Sequence, residues 1–151
     1  MKGLSMAVQH LHAHGVIHRD IKPENVMLGD NGEVKLGDFG WSVLCCKGRR
    51  KTLCGTLDYL APEMLAQDGH DHRVDIWSLG VLCYELLFGD PPFLSDDFAS
   101  TSRRIKEAKF SFPSTPKVSK HAKDFIQKVT PLPPAVHFLL KPVCVCTDPS
   151  E

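Results

Sequence analysis

His18-Arg19-Asp20-Ile21-Lys22-Pro23-Glu24-Asn25 is the stretch on which the reading turns. Asp20 can accept a proton, Lys22 can face an anion, and Asn25 offers a hard carbonyl oxygen. Taken singly, Asp20 or Asn25 reads as a turn residue. Two more motifs follow in order, Asp38-Phe39-Gly40 and then Ala61-Pro62-Glu63. Any one tripeptide carries little information, but an ordered set of three leaves little room for coincidence.

Working outward, Leu4, Ala7, Val8 and Leu11 recur at helical spacing, and Gly15 stops that pattern. Short apolar runs at 16–17 and 25–28 flank the opening motif. Gly29-Asp30-Asn31-Gly32 then leads into residues 33–39, read as a hairpin with Asn-Gly at its tip. Residues 40–59 are polar, basic and unperiodic, which predicts a long functional loop. Residues 74–88 are apolar on nearly every face, the pattern of a helix buried inside a domain, and Asp90-Pro91-Pro92 breaks it. Helical patterns recur around 101–108 and 119–129, with a Pro-containing loop at 112–116 between them. The division expected is one domain over 1–129 and a Pro-rich, unstructured tail over 130–151.

Composition narrows the class further. With 42% hydrophobic and 24% charged residues in a chain of 151, a buried core is expected rather than a disordered tail. A formal net charge of zero gives no general attraction to nucleic acid or membrane. Residues 1–6 lack the apolar core of a secretory signal, and no apolar run reaches membrane-spanning length. The six cysteines, at 45, 46, 54, 83, 144 and 146, match neither a zinc ribbon nor a disulfide framework, so reduced thiols are expected. Asp75 stands inside the buried helix, where a carboxylate must be hydrogen-bonded.

The three motifs resemble, as a pattern, those of eukaryotic protein kinases. The resemblance implies an α+β protein-kinase fold: a mainly helical large C-terminal lobe with a small β-hairpin. Asp20 would act as base toward the substrate hydroxyl, and Lys22 would offset charge on the transferring phosphate. Asn25 and Asp38 would hold Mg2+ jointly with the phosphates of ATP. His18 is expected to pack near Phe39 and, with Arg19, Phe39, Gly40 and Glu63, to support the site. Asp75 would hold the backbone of the catalytic loop. Lys22, with Gly55-Thr56 ahead of Tyr59, resembles a serine/threonine rather than a tyrosine kinase, and Thr56 would bond to Asp20 and Lys22.

Residues 38–43 and 49–59 are similar to the activation segment of the Aurora family, with Trp41 the most discriminating position. The resemblance covers residues 1 to about 129. Thr52 then becomes a regulatory phosphosite, its phosphate placed beside Arg19, Arg49 and Arg50. Glu24 would help select protein substrates with basic residues before Ser or Thr. Cys54 in the same loop reads as an inert thiol or, less simply, a redox target. The family further implies mitotic roles, histone phosphorylation, activating partner proteins, and a nuclear and cytoplasmic protein associated with spindle or chromosomes.

Two departures shape the expectation. No Gly-x-Gly and no Val-Ala-Ile-Lys strand occurs, so the lid over ATP and the lysine beneath it are missing, and apolar surface normally covered by the other lobe would be exposed. No arginine follows residues 122–126 to pair with Glu63, leaving a buried carboxylate unpaired. The chain therefore reads as a truncated kinase. A different class stays open beside it: a catalytically inactive fragment that binds substrates or kinase partners.

Overall fold

The computed structural model describes residues 1–44, 50–67 and 69–130. Helix α1 (Lys2–Ala13) buries Leu4 and Val8, one turn apart, as its spacing predicts. Strand β1 (Val16–Ile17) leads through the opening motif into a short 3-10 turn, Pro23–Asn25. Strands β2 (Val26–Leu28) and β3 (Val34–Leu36) pair antiparallel. Strand β4 (Val43–Leu44) returns to pair with β1, so two small antiparallel pairs flank the opening motif.

The hairpin forms where the sequence predicts it, but its tip differs. Leu28 pairs with Val34, and Gly32 N donates to Gly29 O at 2.9 Å, so Asp30-Asn31 take the central turn positions instead of Asn31-Gly32. A further bond, Gly29 N to Glu33 O at 2.8 Å, closes a five-residue loop. Loops of that length build on an ordinary turn and do not need the tight Asn-Gly form.

Helix α2 (Pro62–Ala66) opens with proline in its first turn, a position that needs no N–H bond. Five residues are too few for periodicity to mark it, and the sequence reading missed it. Helix α3 (Arg73–Phe88) buries an almost unbroken run from Val74 to Tyr84, and Trp77 stacks on Phe93 with ring centroids 5.3 Å apart. Burying side chains of this size stabilises by roughly 1.5–3 kcal/mol each. Helix α4 (Phe98–Glu107) starts three residues before its apolar pattern does, because the Asp97 side chain caps Ser100 N at 2.8 Å. Ser119 caps helix α5 (Lys120–Val129).

The main core joins α1, β1, α3 and α4 through Val8, Ile17, Trp77, Leu82 and Ile105. A smaller cluster sets Ile126 of α5 against Cys83 and Tyr84 of α3. The packing reaches Thr130, which is fully buried; the rest of the tail lies outside the described residues. No helix among the described residues is long and apolar enough to cross a membrane.

Gly80 is where α3 and the end of α5 meet. A Cβ there would run into Thr130 Oγ1 and Val129 Cγ2. Gly80→Ala is therefore expected to destabilise the fold by about 1–3 kcal/mol despite the better helix propensity of alanine. Urea denaturation measures it, and an unchanged midpoint would show that α5 can shift freely.

Candidate active site

Asp75, fully buried in the first turn of α3, anchors the opening motif. Its carboxylate accepts His18 N at 2.9 Å, Arg19 N at 2.8 Å and His12 Nε2 at 2.8 Å. Arg19 is held at φ 69, a left-handed backbone that a bulky side chain adopts only when its surroundings impose it. His18 is also fully buried; its ring bridges Gly37 O at 2.9 Å and Asp20 N at 3.3 Å and meets Phe39 edge-on at 5.0 Å. The imidazole thereby ties the turn carrying Asp20 to the strand end carrying Asp38.

Around Asp20 the predicted residues converge. Lys22 Nζ lies 3.3 Å from Asp20 Oδ2 and donates to Thr56 Oγ1 at 2.9 Å, and Thr56 Oγ1 reaches Asp20 Oδ1 at 3.3 Å. Asn25 Nδ2 donates to Asp20 O at 2.8 Å and to Asp20 Oδ2 at 3.1 Å. Its amide nitrogen is thus committed, and its oxygen is left for another partner. Asp38 sits past β3 at φ 54, exposed, with Oδ1 accepting Gly40 N at 3.2 Å.

Gly55 makes the approach of Thr56 feasible. Its φ is 97, and a Cβ there would stand 2.7 Å from Arg19 O and 3.6 Å from Asp20 Oδ1. Only a residue without Cβ lets the chain at Gly55 and Thr56 press this closely on the Asp20 turn. Beside it Cys54 is buried, and burial pushes its thiol pKa up, which suits the inert reading.

The residues expected to be regulatory are less assembled. Thr52 is exposed, while the Arg19 guanidinium donates through Nε to Trp41 O at 2.7 Å. Arg50 donates to Leu44 O at 2.9 Å, and Arg49 lies outside the described residues, as do Cys45, Cys46, Cys144 and Cys146. Glu24 is exposed at the 3-10 turn. Its charge acts on Glu85, whose pKa is raised by burial and then by the charges of Glu24, Asp58 and Asp90. Burial raises Asp58 too. Tyr59 Oη donates to Glu85 Oε2.

Glu63 corrects an expectation. It is half-buried in the first turn of α2, not sealed in the core, so the severe cost of a buried unpaired carboxylate does not arise. A helix N-terminus favours a carboxylate there, and Arg73, bonded first to Asp71, also feels its charge.

Sequence reasoning missed His12. Its signal was available: it falls one turn after Val8, on the stripe that carries Leu4 into the core. His12 also meets His72 edge-on, ring centroids 5.1 Å apart.

Burial, then the charge of Arg19, holds His70 below its ordinary 6.5, and burial is likewise the main cause for His72, aided by His12 and Arg73 against Asp71 and Asp75. Between those lowered values and 6.5 the unfolded chain binds more protons than the folded one, so stability rises with pH across that window. The raised carboxylates Asp58 and Glu85 act in the opposite sense, over a window that begins at their ordinary values of 3.8 and 4.5. The urea midpoint is expected to fall on acidification from about pH 7.5 to about pH 5.5, and His72→Gln to flatten part of the fall. A midpoint constant across that range contradicts this account.

Comparison with known proteins gives the family. The protein kinase domain family matches residues 1–135. Aurora kinase A-B of Xenopus laevis is 56% identical over 129 residues, which cover 85% of this chain and 31% of the relative. Aurora kinase C of Mus musculus is 57% identical over 126 residues, 83% of this chain and 45% of the relative. Aurora kinase B of Danio rerio is 50% identical over 143 residues, 95% and 44% respectively. The chain thus spans 31–45% of the length of these curated relatives.

Proposed function

The chain belongs to the protein kinase family, with Aurora-type serine/threonine kinases among its relatives, and on that premise we propose that it carries the catalytic floor of an ATP-dependent protein serine/threonine kinase. The observation that carries this reading is the convergence of Lys22, Asn25 and Thr56 on the Asp20 carboxylate. Asp20 accepts the proton of a substrate Ser or Thr hydroxyl as its oxygen bonds to the γ-phosphorus of ATP. The bond to the bridging oxygen breaks, and ADP leaves with the electron pair. Lys22 offsets the negative charge on the transferring group, and Thr56 keeps the Lys22 and Asp20 side chains in register.

Magnesium fits Asn25 and Asp38: both offer hard oxygens, and one or two protein ligands suffice for an ion shared with phosphates, whose charge it neutralises when bound. His18, Arg19, Phe39, Gly40 and Asp75 position these groups. The carboxylates of Glu24, Asp58, Glu85 and Asp90 suit a protein substrate with basic residues before its phosphoacceptor. The test is transfer of labelled phosphate from ATP to an Arg-Arg-x-Thr peptide by a kinase carrying this lobe. Transfer that survives loss of the Asp20 carboxylate overturns the assignment.

Thr52 belongs to the same proposal as a regulatory phosphosite, its phosphate ordering the activation segment through Arg19. Thr52→Ala in the full-length kinase is expected to reduce activity at least about tenfold, as loss of a few charge-assisted bonds implies. Unchanged activity would remove this role. Mitotic substrates such as histones, activating partner proteins, and association with spindle or chromosomes in nucleus and cytoplasm are the proposed setting, drawn from the Aurora relatives.

A second reading keeps binding without transfer. The exposed apolar side chains Met27, Leu28, Phe39, Trp41 and Leu44 favour it as a partner-binding surface. The same assay separates the two: peptide binding with no transfer supports the second.

A further inference from the structure

Two deeply buried side chains beside the activation segment each carry a nitrogen with no partner among the described residues: Arg19 Nη1 and His70 Nε2. Arg19 is 7% exposed and His70 3%. Arg19 has no ion pair among the described residues. Orphaned buried polar nitrogens are rare and costly to a fold, so the pair points to an absent partner.

Other charges near His70 do not fill that role. Asp75 is spent on the amides of His18 and Arg19 and on His12. Asp71 is spent on Arg73, with contacts of 2.6–3.0 Å. Arg50 adds a third basic group: His70 N donates to Arg50 O at 2.8 Å, and Arg50 N to His70 O at 3.1 Å. His70 therefore faces Arg19 from the catalytic loop, Arg50 from the activation segment, and Asp71 and Asp75 from its own side.

Thr52 lies two residues beyond Arg50, and two extended residues span about 7 Å at most. The backbone bridge thus leaves Thr52 two residues along the chain from the residue that pairs with His70. We propose that His70 is a titratable third ligand of a phosphate on Thr52, sharing it with Arg19 and Arg50, and that the docked phosphate draws a proton onto the imidazole. The proposal rests on the reading of Thr52 as a phosphosite. A phosphate supplies up to two negative charges and three acceptor oxygens, enough for both orphans. Without it the imidazole is held neutral by burial and by Arg19. With it, docking takes up a proton, so the closed activation segment strengthens as pH falls, until the phosphate itself protonates.

The test uses the full chain with phosphothreonine installed at position 52. Imidazole nitrogen resonances of His70, guanidinium resonances of Arg19 and the phosphorus signal are followed from about pH 5 to about pH 8, with the unphosphorylated chain alongside. The His70 midpoint is expected to rise by about one unit or more on phosphorylation, the usual effect of an adjacent opposite charge. His70→Gln, which keeps a donor but not the proton, is expected to remove the matching inflection from the phosphorus signal. If that variant fails to fold, the titration of the wild-type chain decides alone. An unmoved His70 midpoint with shifted Arg19 resonances overturns the proposal and leaves the Thr52 reading standing. If neither residue responds, the Thr52 reading falls with it.

Discussion

Asp20→Asn is expected to lower phosphoryl transfer by about 10²–10⁴-fold, the contribution of a positioned general base with its orienting effect. Asparagine matches the shape of Asp20, so the loop should keep its path and peptide KM should change little. The amide cannot take the substrate proton. It also brings N–H donors against Lys22 Nζ and Asn25 Nδ2, which now donate to, or lie within 3.3 Å of, the carboxylate. Steady-state kinetics in a kinase carrying this lobe measure the effect. A kcat within about threefold of wild type, under 1 kcal/mol of barrier, would remove Asp20 from the chemistry.

Asp75→Ala is expected to produce the largest loss of stability, about 3–5 kcal/mol. The substitution strips the acceptor from two buried amides, His18 N and Arg19 N, and from His12 Nε2. It also frees Arg19 from the left-handed backbone that those bonds impose. Asp75→Asn should lose less, because one carbonyl oxygen remains to accept. Urea unfolding gives the magnitude, and amide exchange at His18 and Arg19 gives the location. A loss below about 1 kcal/mol, with both amides still protected, would mean that the loop is held elsewhere.

Much of the site was legible because its parts are close in sequence. Asp20, Lys22 and Asn25 share one short stretch, and the ordered set it forms with Asp38-Phe39-Gly40 and Ala61-Pro62-Glu63 marked them as candidates before any fold was known. Asp75 was legible for another reason: a carboxylate in an apolar helix has few alternatives to a hydrogen-bonded role. His12 was passed over although it shares the stripe of Leu4 and Val8, since a histidine on a helix face usually reads as solvated. Helix α2 was too short to show a period. The hairpin tip was misread because Asn-Gly marks a tight turn only when the strands end beside it, and here pairing stops at Leu28 and Val34.

By itself the sequence determined which groups could act and which helix had to be buried, since residue chemistry, local spacing and apolar content are properties of a single segment. Only the tertiary structure decided that Thr56 closes on Asp20 across 36 positions, that Asp75 grips His18 across 57, and that His70 lies by Arg19. Contacts at that separation depend on how the intervening loops close and on the packing that offsets their entropy, and no local pattern encodes either.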